Sequence, residues 1–136
     1  MNKFLSHDFR IYVDKRTFFR VMIFRDHQAM WRYGKELHKK WNIPIRFNLF
    51  YARSALNYNR TGQIGHVILC DKWRGAGIVT HELAHCAFHV LRMKGYRWPL
   101  KAETDHDKAE ERYCQIIEKL GAQYRMKAGA WAQKKK

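Results

Sequence analysis

Apolar residues recur along the chain with two periods, and the changes of period mark out the elements. Residues 19–24 (Phe19-Arg20-Val21-Met22-Ile23-Phe24) form a nearly continuous apolar run, a strand, with a shorter strand candidate before it at 10–13. Asp26 then heads a segment in which Met30, Tyr33, Leu37 and Trp41 fall on one stripe, which predicts a helix over 26–41 with Asp26 as its cap. Ile43, Ile45, Phe47, Leu49 and Tyr51 alternate as in a half-buried strand, and a polar stretch at 57–62 leads to a further strand at 64–70. Helical spacing returns with Ile78, Val79, Leu83, Ala87, Val90 and Leu91. It returns again with Ala109, Tyr113, Ile116, Ile117, Leu120 and Tyr124, which predicts a helix over 105–121 opened by Thr104 or Asp105. The order predicts an α+β fold: a short mixed sheet, an N-terminal helix, a central helix and a following C-terminal helix. Residues 1–126 read as a single domain and 127–136 as a loose basic tail.

The central helix carries the chemistry. His81-Glu82-Leu83-Ala84-His85 is an H-E-x-x-H sequence inside an apolar helical pattern. Residues four apart share a helix face, so His81 and His85 can aim both imidazoles at one cation, and zinc accepts neutral imidazole. Glu82 lies about 100° round the helix from His81, placed to reach a water on that cation rather than to ligate it. A carboxylate on an otherwise apolar helix needs a counter-charge, and metal chemistry supplies one.

Two histidines do not complete a catalytic zinc site, which ordinarily has three protein ligands and an open position. His89 continues the spacing but lies about 12 Å along a straight helix from His81, too far for one tetrahedral ion, and reads as a core or supporting histidine. On the helix at 105–121, His106 falls within the apolar stripe, Glu110 at its edge and Glu111 opposite. Glu110 is therefore the expected third ligand, with His106 as the alternative.

These residues bring the chain close to a known group. Ile64-Gly65-His66-Val67-Ile68-Leu69-Cys70, the H-E-L-A-H helix and Glu110-Glu111-Arg112-Tyr113-Cys114 resemble the minimal zincins with a glutamate third ligand. Within those, the chain is similar to the small peptidases of the ImmA/IrrE type found in phages and mobile elements. Tyr113 and Cys114 stand where those relatives usually have alanine and asparagine. The resemblance covers residues 65–120 and implies a Zn²⁺ metallopeptidase. A peptide would pair with an edge strand that includes residues 66–69, its carbonyl polarised by zinc, while Glu82 activates the zinc-bound water. Tyr113, Tyr58 and Arg97 are candidate oxyanion donors. His66 reads as a structural or solvent-facing histidine.

Two other resemblances imply different ligands. His85-Cys86-Ala87-Phe88-His89, Gly95-Tyr96 and Asp105-His106 look like a stretched form of the late ribosomal-RNA maturation metalloproteins, implying an endoribonuclease with His85, His89 and His106 as ligands. DNA-associated SprT-like proteases also carry H-E-x-x-H, and their third ligand is a histidine, which fits His106 better than Glu110.

Charge adds a statement about partners. The chain has 27 Lys and Arg against 12 Asp and Glu, a net +15, which favours a polyanion such as nucleic acid. Aromatics interleave with cations in 46–53, though alternation there is explained by a strand. The bland alternative to an enzyme is thus a basic nucleic-acid-binding protein whose metal site is structural or absent. Cys70, Cys86 and Cys114 occur singly and no secretory signal is recognisable, as expected of a reduced cytoplasmic chain. No apolar run is long enough to span a bilayer.

Overall fold

The computed structural model describes residues 4–41, 53–56, 62–93 and 103–134. Strands β1 (Leu5–Tyr12) and β2 (Phe18–Phe24) form an antiparallel hairpin whose turn is built by Asp14. Its carboxylate accepts the Arg16 and Thr17 amides at 2.9 Å each, so an aspartate in the turn replaces backbone partners that a tight reversal lacks. Helix α1 (His27–Trp41) follows, and Asp26 caps it as predicted, its carboxylate accepting the Ala29 amide at 2.8 Å. Strand β3 (Arg53–Leu56) and strand β4 (Gln63–Cys70) then complete a four-stranded mixed sheet in the order β1-β2-β4-β3. Helices α2 (Ala76–Met93) and α3 (Glu103–Lys134) close an α+β fold.

The pattern of β4 explains its place. Ile64, Val67, Ile68, Leu69 and Cys70 are all buried, a run rather than an alternation, as expected of a strand covered on both faces. It pairs in parallel with β2 and antiparallel with β3, so it is interior to the sheet. The expectation that 66–69 is an edge open to substrate is therefore incorrect: β3 occupies that edge. The predicted alternation over 43–51 lies outside the described residues.

Each face of the sheet has its own core. Phe19, Val21 and Ile23 of β2 and Val67 and Leu69 of β4 pack with α2 and α3, while Met22, Phe24, Ile68 and Cys70 pack with Met30 and Tyr33 of α1. Successive strand residues alternate between these faces, so the one sheet serves both clusters.

Helix α3 runs well past the predicted end at Gly121. Gly121 does not end the helix: it is buried within α3 facing α2, where an added Cβ would lie 3.8 Å from Leu83 Cδ1, an ordinary contact. Nor are residues 127–134 a loose tail. They continue the helix, Ala128 is fully buried on the stripe of Leu120 and Tyr124, and Lys127 Nζ donates to the Arg10 carbonyl.

Gly62 is the one glycine with positive φ among the described residues, at 95°. Its carbonyl accepts the Phe18 amide at 3.0 Å, and a Cβ there would lie 1.9 Å from the Arg16 carbonyl oxygen. Only glycine admits both the conformation and the approach of β4 to the hairpin turn.

Candidate metal centre

Helix α2 is aimed by the turn that precedes it. After a single 3₁₀ turn, Asp71–Trp73, the Arg74 guanidinium donates to Asp71 at 2.9 Å and to the Tyr124 hydroxyl of α3 at 3.4 Å. Arg74 near Tyr124 and Leu83 near Gly121 mean that α2 and α3 run antiparallel.

At about 100° per residue, Leu83, Ala87 and Leu91 turn one side of α2 toward α3, while Glu82 and His89 lie on the side facing the sheet. His89 is buried and meets the Phe19 ring of β2 nearly edge-on, with centroids 6.4 Å apart. His81 and His85 lie beyond Glu82 on the side away from α3 and are exposed. Since α2 packs over β3 and β4, the histidines line the margin of the sheet on the β3 side.

His81 Nε2 and His85 Nε2 are 3.1 Å apart, their rings nearly perpendicular at 82°. Two nitrogens bound to one tetrahedral zinc at about 2.0–2.1 Å would be about 3.3 Å apart, so the pair needs almost no rearrangement to share a cation. One ligand atom from each of His81, Glu82 and His85 lies within 4.8 Å of the others, the one such trio among the described residues. Glu82 is 1% exposed. Burial, and secondarily the neighbouring His81 ring, hold the His85 imidazole below its ordinary pKa, which favours the neutral, metal-binding form.

The structure brings together the three residues of the H-E-x-x-H sequence and leaves Glu110 out. Glu110 is exposed on α3 and has no ligand atom in the trio. The antiparallel packing gives the reason: with Gly121 against Leu83, Glu110 lies roughly 16 Å farther along α3, toward the Met93 end of α2. α3 also flanks the side of α2 opposite the histidines. His106 is another turn toward the α3 N-terminus, and its side chain lies outside the described residues.

Other sequence candidates sort as follows. Tyr113 packs against the core on α3. Tyr58 and Arg97 lie outside the described residues. His89 meets Phe19, and the His106 side chain lies outside the described residues, so the ligand set implied by the RNA-maturation resemblance falls in part outside them. Cys70 and Cys86 are buried, as small hydrophobic residues often are, and Cys114 is exposed.

His66 is buried on the other side of the sheet, with its ring 6.3 Å from that of Tyr33 in α1. Gln63 Nε2 lies 2.9 Å from its Nε2, and its Nδ1 is buried with no hydrogen-bond partner among the described residues. Burial, with Arg20 adding and Asp8 opposing, pushes its pKa down to about 4. Arg20 itself forms a two-pronged ion pair with Asp8 at 2.9 and 2.6 Å. No local sequence signal joins Asp8, Arg20, Gln63, Tyr33 and His66, because strand register assembles them.

No protein-family model matches the chain, and neither the curated proteins nor the solved structures yield a match. No described helix is long and apolar enough to cross a membrane.

Proposed function

We propose that the protein is a zinc-dependent metallopeptidase centred on His81, Glu82 and His85. The observation that carries this reading is the approach of the two Nε2 atoms to 3.1 Å beside a buried glutamate. His81 and His85 would hold the ion. When bound, zinc makes water a nucleophile near neutral pH and polarises a carbonyl. Glu82 takes the proton from the attacking water and delivers it to the leaving amine, a role that needs the carboxylate beside the ligands rather than among them.

The substrate is an extended peptide that adds a strand to the outer edge of β3. The opposite edge is occupied: Gln123 of α3 accepts the Tyr12 amide at 2.7 Å and donates to the Tyr12 carbonyl at 2.8 Å, while Lys127 holds the Arg10 carbonyl. Edge strands closed in this way resist pairing, whereas β3 is last in the sheet order among the described residues and lies under α2 beside the histidines.

The test is Glu82→Gln, assayed on an unfolded protein substrate with zinc supplied. Zinc content stays at the wild-type level and cleavage falls by about 100-fold or more, the usual contribution of a positioned general base. Cleavage retained by that variant would contradict the assignment.

A further inference from the structure

Helix α3 carries as many Asp and Glu as Lys and Arg, six of each, but three of its cations gather on one side, away from the metal centre. Arg112, Lys119 and Lys127 lie within about 80° of one another on the α3 wheel, on the side that flanks β1, whereas Gly121 faces Leu83 on the side that flanks α2. Gln123, on the same side as the three cations, grips Tyr12 and fixes the row against the β1 edge. Beyond Val13, in the hairpin turn, stand Lys15 and Arg16, both exposed. Between the row and the hairpin, Val13, Arg112, Gln115, Ile116, Lys119 and Leu120 line a cleft of about 100 Å³.

Lys127 is held in position rather than left to roam: its Nζ donates to the Arg10 carbonyl and lies 5.5 Å from the centre of the Tyr12 ring. Of the described acids of these elements, Asp14 accepts the backbone amides of its own turn, Asp8 is paired with Arg20, Glu110 and Glu118 point about 120° or more round α3 from Arg112, and Glu111 accepts from Gln115 Nε2 at 3.2 Å at the margin of the cleft.

We propose that the seam between the β1 edge and α3 binds the phosphate backbone of duplex DNA. A straight row of cations on a rigid helix suits a regular line of phosphates. Single-strand binders add aromatic platforms on which bases stack, but here Phe18 is 3% exposed beneath Arg10 and Tyr12 lies under Lys127. An anionic membrane would call for apolar residues able to enter it. Of the exposed large hydrophobic residues among those described, Phe4, Phe88, Met93 and Met126, only Met126 is on this side of α3. The surface shares no residue with the metal centre, so either assignment stands if the other fails.

The experiment measures fluorescence anisotropy of a labelled 20-base-pair duplex across 50–200 mM salt, in EDTA. The wild type binds with a slope of log affinity against log salt of about −4, set by four to five phosphate contacts. Replacing Arg16, Arg112 and Lys119 together by Gln brings the slope to about −1, about one unit per lost contact. Replacing Arg32, Lys35 and Lys39 of α1 by Gln removes the same net charge and leaves the wild-type slope. Circular dichroism confirms that both variants fold, as expected for surface substitutions. Equal losses in the two variants, unchanged binding in the first, tighter binding of the single strand, or binding only to phosphatidylserine vesicles would each overturn the proposal.

Discussion

Acid should destabilise this protein through His66 by an amount that the structure sets. The imidazole is 3% exposed, and burial pushes its pKa from 6.5 down to about 4. In the unfolded chain it titrates at its ordinary value, so between those limits the unfolded state binds more protons. Stability conferred by the neutral ring is complete above about pH 6.5 and is lost as pH falls toward about 4. For those two values, His66 alone costs about 2.5 kcal/mol between pH 7 and pH 4.5, a large share of the 5–15 kcal/mol typical of a domain. The assay is urea unfolding at half-unit pH steps, in EDTA, for wild type and His66→Leu, with His66→Gln as a polar second variant. His85 and His89 are also held below their ordinary pKa, chiefly by burial, but they are common to every protein and cancel in the difference. The variants should lose about 2.5 kcal/mol less than wild type over this interval, whatever their stability at pH 7. Wild-type and variant curves that run parallel would refute the burial argument.

Three smaller perturbations test the framework around the site. Gln123→Ala should cost about 1–3 kcal/mol by stripping Tyr12 of two hydrogen bonds, and should promote concentration-dependent association through the opened β1 edge, measured by urea unfolding and light scattering. Gly62→Ala should cost more than about 1 kcal/mol in urea unfolding, because φ is 95° and the Arg16 carbonyl oxygen is 1.9 Å from the added carbon. Asp26→Ala should lower stability by about 1 kcal/mol through loss of the α1 cap, whereas Asp26→Ser should restore most of it, both read from thermal melts.

What the sequence made legible was local. The apolar run of β2, the cap and stripe of α1 and the helical register that joins His81 to His85 depend on neighbours within a few residues, and each appears in the fold. The end of α3 was misread because a glycine inside a helix costs only about 1 kcal/mol, and Gly121 sits on a stripe whose burial continues through Tyr124 to Ala128. The position of β4 was misread because strand order is set by long-range pairing, although its unbroken burial was a signal that both faces are covered. Glu110 was chosen by its direction on the wheel, which fixes an angle and no distance. The antiparallel packing of α2 and α3 supplies that distance and carries Glu110 away from the histidines. The seam cations escaped notice as a group because Arg112 and Lys119 meet Val13 of the hairpin only after β1 docks on α3.

The central claim is that His81 and His85 hold zinc. Its most direct test is the zinc content, by elemental analysis, of wild-type, His81→Ala, His85→Ala and Glu110→Ala proteins after zinc loading and removal of excess metal. The account predicts about one zinc per wild-type chain, loss of that zinc in both histidine variants, and wild-type content in Glu110→Ala. A wild-type protein that retains no zinc, or histidine variants that retain all of it, would contradict the metal centre.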